Sequence, residues 1–304
     1  MNTPTGEQFD LTRAHANYQA HASISELAAG LRGLSVGGVE LIEGYGAHDL
    51  VPYAAGIVLV PWPNRIEDGR WQYLGQNQQL DLTEPSRYNA IHGLLRNTVY
   101  RVLERSDDAI TLGAAIYPQH GYPFELDTSV RYELVDDGLT VTHQIENTGT
   151  DAAPVAIGAH PYLRLGDVPT AELTLTLAAT THFTVDDRLN PIREDAVAGT
   201  AFDFQAGARV GKLMLDDGFG GVAPGLTHRL TAVDGRFVEV WSDPEFAYVQ
   251  VFTNPIFPRD GQPTLAIAVE PMTAPANAFN SGAGLRWLES GERWSVAWGI
   301  RYSG

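Results

Sequence analysis

The chain has 304 residues, 44% of them hydrophobic, no cysteine and a formal net charge of -17. That is enough apolar material for a large core, and one big all-β domain is as compatible with the length as two smaller ones. The composition excludes a disulfide framework and thiolate chemistry, and a field of this sign disfavours nucleic acid and anionic membranes as partners.

The first residues, "MNTPTGEQFDLTRAHANYQA", lack a basic segment followed by an apolar one, so no signal peptide is expected. No run of about 18 apolar residues offers a membrane span. A cytoplasmic location is the expectation, and the first dozen or so residues are expected to be loosely held. "SELAAGLRGL" (Ser25–Leu34) reads as a short helix or as an early strand pair broken by glycines. "IVLVPWPNRIEDGRW" (Ile57–Trp71) drops Asn64 and Arg65 just after a buried-looking strand, and "YNAIHGLLRN" (Tyr88–Asn97) places His92 before Gly93. Arg65 and His92 carry donors suited to hydroxyl groups. A surface salt bridge and a turn-stabilising imidazole are the plainer fates of such residues. Trp62, Trp71, Tyr88 and Tyr162 lie beside these polar islands, where rings could stack on a sugar or simply fill the core.

Strand signals dominate from there on. Leu139, Val141, His143 and Ile145 alternate with threonines, Gln144 and Glu146, and Asp136-Asp137-Gly138 before them reads as a hairpin turn. Glu172–Val185, Arg236–Asp243, Ala247–Pro255 and Arg293–Tyr302 show the same period of two. No repeat and no composition break appears, and the spacing of strands and turns predicts an antiparallel all-β sandwich or barrel in one domain.

Two strands share one design. In "PVAIGAHPYLRL" (Pro154–Leu165), Ala156, Gly158 and His160 fall on one face; in "TLAIAVEPM", Ala266, Ala268 and Glu270 do. Each titratable residue ends its strand on the small-residue face and precedes proline, which holds the backbone extended. Acid–base chemistry needs such rigid placement, since the proton must lie within hydrogen-bond reach. A structural histidine and a solvated glutamate are the bland alternatives. No HxH, HExxH, GxSxG, P-loop or GxGxxG pattern is present. A metal site from His92, His160, Glu270 and Asp216 is allowed by residue type, and no spacing supports it.

The order of the pieces "NRIEDGRW", "AIHGL", "GAHPYL", "LDDGF" (Leu215–Phe219), "VQVFT", "AVEPMTAPANAFNSG" and "LESGERW" resembles the aldose 1-epimerase (galactose mutarotase) family, most of all its bacterial branch, from about Leu27 to Tyr302. The resemblance implies a large antiparallel β-sandwich of the galactose mutarotase type, a sugar as the partner, and no cofactor or metal. It implies Glu270 as general base and His160 as general acid, with His92, Arg65 and Asp216 holding hydroxyls and ring oxygen. Gln250 is a weaker carry-over, and Asp217 competes with Asp216 for the inward position. The pair is expected to start with Glu270 ionised and His160 protonated. A hexose-6-phosphate epimerase would need Arg65, Arg87 and Arg96 to converge; a carbohydrate-binding module needs no acid–base pair; a lyase or hydrolase on a similar sandwich is a third alternative. With Arg65 alone placed at the site, neutral aldoses are expected to be preferred to their 6-phosphates.

Overall fold

The structure, a computed structural model, describes residues 3–15 and 18–304. Two large sheets carry it, and every strand pair in them is antiparallel. The first has nine strands, with Ala109–Ile116, Leu126–Val135, Gly138–Asn147, Arg293–Ser303 and Phe237–Ser242 as its centre. The second runs Pro191–Ala196, Thr181–Val185, Asp216–Gly220, Tyr248–Arg259, Gln262–Met272, Gly158–Ala159, Val58–Leu59, with Tyr162–Leu163 also on the Gln262–Met272 strand. Val141, Ile145, Val296 and Trp298 of the first sheet and Val249, Val251, Ile267 and Val269 of the second belong to one buried apolar cluster. The molecule is therefore the all-β sandwich that the period-two pattern predicts.

Several local readings change. Gln8–Ala14 is a paired strand, because Phe9 and Leu11 alternate into the core; loose packing does not extend to it. The Ser25–Leu34 segment is the strand-pair alternative, Gln19–Ser25 against Leu31–Val36. The Asp136-Asp137 hairpin is present, but Gly138 is already in its strand, where a Cβ would meet the Ile300 carbonyl oxygen at 1.9 Å. Pro154–Leu165 is not one strand. It breaks into Ala153–Val155, paired with Arg286–Leu288, and Gly158–Ala159 and Tyr162–Leu163, both of which reach Gln262–Met272; Pro161, which lacks a ladder donor, lies in the second break. The strand of Glu270 does not stop there but runs on to Met272.

Four buried histidines, His92, His143, His160 and His228, are expected to make the fold acid-sensitive. His143 accepts the Trp298 indole N–H at 3.0 Å, and His228 accepts the Ala178 amide through Nδ1 at 3.2 Å, so both are held neutral. Burial pushes His143 down to about 3, and His228 and His160 down to about 4. The unfolded chain binds these protons near pH 6.5 and the folded chain does not. Their contribution is complete above that pH and is lost as pH falls toward 4, at about 1 kcal/mol per histidine per pH unit. Glu270, shifted the opposite way, offsets one of them. Urea midpoints are expected to fall steadily from pH 7 to pH 5, and His143→Gln to flatten that slope. An unchanged midpoint across the range would contradict the assignment.

Candidate active site

The pleat of the second sheet builds the floor of the site. Asp216 pairs with Phe252, Gly218 with Gln250, and Gln250 with Glu270, so Asp216, Gly218, Gln250, Phe252, Ala268 and Glu270 share one face. That face points away from the sandwich core, which takes Val251, Ile267 and Val269. The register also decides between the two aspartates. Asp217 falls on the opposite face, where its carboxylate meets Nε2 of His182 at 2.8 Å and accepts the Asp216 backbone N–H. Asp216 faces the site.

The walls come from the first third of the chain. Arg65–Glu67 pairs with Asn89–Ile91, which brings Arg65 opposite Ile91 and leaves His92 just beyond. The His92 amide donates to the Asn64 carbonyl at 3.0 Å. Gly93 then passes so close to the Val60 carbonyl that a Cβ would lie 2.0 Å from its oxygen, at a φ of +71°. Only glycine serves there. The Asn-rich loop after Glu270 braces this wall. Asn277 donates its amide to the Arg65 carbonyl at 2.6 Å, and the Asn280 side chain donates to the Arg70 carbonyl at 2.8 Å.

Arg65, His92, His160, Asp216, Gln250 and Glu270 all line one cavity of about 340 Å³, a size suited to a small ligand. Nε2 of His160 stands 3.4 Å from Oε1 of Glu270. The His92 and His160 rings meet edge to face at 5.4 Å. Asn64 donates to Gln250 at 3.0 Å, and Gln250 donates in turn to Asp216 at 2.8 Å. Oε2 of Glu270 and Nδ1 of His160 and His92 are buried without a hydrogen-bond partner among the described residues. Unpaired buried polar atoms are costly.

Glu84 is the residue that sequence reasoning missed. It holds Arg65 through two hydrogen bonds, 2.8 Å to Nε and 3.1 Å to Nη2, and takes a third from Arg87 at 3.0 Å. Burial alone would raise its carboxyl, but Arg65 and Arg87 outweigh it and keep Glu84 below the usual range. The signal was there: Glu84 precedes Pro85, the same pattern that singled out Glu270 and His160. Stacking aromatics are not where they were sought. Trp62 and Trp71 pack with Phe279 in the core, and Tyr88 is exposed. Tyr53 and Phe252 line the cavity instead.

The electrostatics depart from the expected charge states. Burial raises the Glu270 carboxyl well above its usual value, and Asp216 adds to the rise against the pull of Arg65. Burial also lowers His160 to about 4, with Arg96 and Arg65 pushing the same way. Both shifts favour the neutral forms, against the ionised Glu270 and protonated His160 expected from the sequence. The reason is desolvation, which sequence reasoning had weighed less than the mutual field of the pair. Among the described residues no group of three His, Asp or Glu is disposed to hold a metal ion, and no helix is long and apolar enough to cross a membrane.

A large antiparallel sandwich with a polar cavity over the outer face of its second sheet is the setting in which the family match falls. Residues 10–301 match the aldose 1-epimerase family. The chain belongs to that family, and it is an isomerase. An uncharacterised protein of Escherichia coli K12, YihR, is 35% identical over 277 residues, covering 90% of this chain and 87% of that one. Among solved structures, a putative aldose 1-epimerase of Escherichia coli K12 superposes with a TM-score of 0.82 at 19% identity, covering 98% of this chain and 99% of that one. A galactose 1-epimerase of Lactobacillus acidophilus NCFM does so with a TM-score of 0.78 at 18% identity, covering 98% of both chains. These structures establish the shared fold.

Proposed function

We propose that the protein interconverts the α and β anomers of a hexose such as glucose or galactose, with Glu270 as base and His160 as acid. The observation that carries this reading is the pair itself: two buried groups 3.4 Å apart, each with an orphaned polar atom, on the wall and floor of one cavity. Anomerisation requires the O1 hydroxyl to lose a proton while the ring oxygen gains one. Concerted transfer avoids both a full alkoxide and a full oxonium ion. Sugar hydroxyls donating to Glu270 would favour its carboxylate and, through its charge, the protonated form of His160. Glu270 then takes the O1 proton, His160 gives its proton to O5, and the C1–O5 bond breaks to an aldehyde. Rotation about C1–C2 presents the other carbonyl face, and the same groups run in reverse close the ring. Arg65, His92, Asp216 and Gln250 hold the remaining hydroxyls.

A cytoplasmic location belongs to this reading, supported by a chain without cysteine. Polarimetry tests it: the purified protein is expected to speed the approach of α-glucose or α-galactose to anomeric equilibrium, undiminished by EDTA. Activity lost on chelation and restored by a metal would overturn the metal-free mechanism. A flat trace with every aldose would instead favour a sugar-binding protein.

A further inference from the structure

The mouth of the cavity holds an aromatic ring to which the anomerisation scheme gives no task. Residues 41–57 connect Val39–Glu40 to Val58–Leu59, with the 3-10 turn Pro52–Ala54 as their one regular element. A connection of that length in a compact domain usually serves a function. Both of its ends are fastened to the segment that carries His160. The Glu43 amide donates to the Tyr162 carbonyl at 2.8 Å, the Arg164 amide to the Leu41 carbonyl at 2.9 Å, and the Gly56 amide to the carbonyl of His160 itself at 2.9 Å. From this anchorage the connection presents Tyr53, which lines the cavity and is still 46% exposed. The backbone there is strained. Tyr53 has φ 47° and ψ 41°, and Ala54 follows at φ 59°. Left-handed backbone is unfavourable for a bulky residue and persists where the surroundings impose it, often at ligand sites. Here the Tyr162 hydroxyl donates to the Tyr53 carbonyl at 3.4 Å, and the Ala55 amide closes the turn on the Pro52 carbonyl at 2.8 Å. Packing does not explain the choice of tyrosine, because the Phe257 ring is 6.4 Å away and tilted by 38°.

We propose that Tyr53 is a substrate-binding residue whose ring stacks on the C–H face of the pyranose at the cavity mouth. The inference rests on the anomerisation reading above. Asp216, Gln250 and Glu270 on the floor meet hydroxyls and leave the C–H surface of the sugar without a partner. That surface gains by leaving water for an aromatic face. Phe252 is the other aromatic ring of the cavity, but it packs against the buried cluster of Tyr162, Phe257 and Ala268. Tyr53 is the ring left free for a ligand. A stacking contact does not follow the proton transfers, so it holds the sugar equally before and during the reaction and acts on KM rather than on kcat.

The left-handed backbone supplies the controls. Glycine and asparagine both tolerate this conformation, so Tyr53→Gly and Tyr53→Asn remove the ring without opposing the turn, and Tyr53→Phe keeps the ring. With glucose and galactose as probes, KM for the better one is expected to rise about tenfold in both ring-less variants, with kcat kept within about threefold. Their urea midpoints are expected not to fall, and Tyr53→Phe is expected to behave as the parent. The proposal is overturned if KM is unchanged in both ring-less variants. A rise in Tyr53→Gly alone would mean a loosened backbone, and an equal rise in Tyr53→Phe a contact through the hydroxyl; either overturns stacking. Calorimetry on Glu270→Gln, with and without Tyr53→Gly, reads the same contact as Kd and needs no turnover. If Tyr53→Gly weakens that Kd while no aldose is anomerised by the parent protein, the stacking residue stands and the isomerisation reading falls. Binding of neither sugar overturns both.

Discussion

Glu270→Gln is expected to lower kcat by about 10²–10⁴-fold, the usual worth of a positioned acid or base. Glutamine keeps the shape of the side chain and cannot accept the O1 proton. Removing a carboxyl that burial already drives toward its neutral form should leave stability unchanged or raised, so a loss of rate with an intact urea midpoint separates chemistry from folding. His160→Asn is expected to cost a similar factor. Because the proposed step needs base and acid to act together, losing either should disable it. The double variant should therefore be little worse than the worse single one. Polarimetry at saturating sugar gives the three values. Near-normal turnover in Glu270→Gln would mean that the proton goes elsewhere, and multiplied losses in the double variant would mean two independent contributions.

Arg65→Leu should be the most damaging substitution to the fold near the site. The side chain is 8% exposed and its partner Glu84 14%. Burial works against the Arg65 charge, and Glu84, Asp216 and Glu270 together more than compensate, raising its pKa. Leucine leaves Glu84 with only the more exposed Arg87, and Asp216 with only Gln250. Breaking a buried pair from one side typically costs about 3–5 kcal/mol, much of it the desolvation of the abandoned charge. Adding Glu84→Gln to Arg65→Leu should recover part of that loss. Arg65→Lys keeps the charge but not the two-pronged geometry, and is expected to fall between. Urea denaturation of these proteins, with Glu84→Gln alone completing the cycle, measures the coupling. A cost below about 1 kcal/mol for Arg65→Leu would place this pair with exposed salt bridges, which contribute little.

Alternation alone specified much of this protein. Leu265, Ile267 and Val269 against Ala266, Ala268 and Glu270 is a strand pattern; the first set packs with the core, Glu270 lines the cavity, and Ala266 and Ala268 are buried in a second apolar cluster with Tyr162 and Phe257. The six residues that the family resemblance singled out meet around one cavity. Side-chain direction along a strand is local, which is why a sequence carries it.

Three things needed the tertiary structure. Which of Asp216 and Asp217 faces the site depends on the register with Tyr248–Arg259, set by packing across the sheet. The Glu84 clamp on Arg65 joins residues 19 positions apart, and the convergence of Arg87 and Arg96 with the floor carboxylates joins segments more than a hundred apart. The protonation of the His160–Glu270 pair depends on burial, a property of everything packed around it: the sequence shows which groups titrate, and the folded environment sets where.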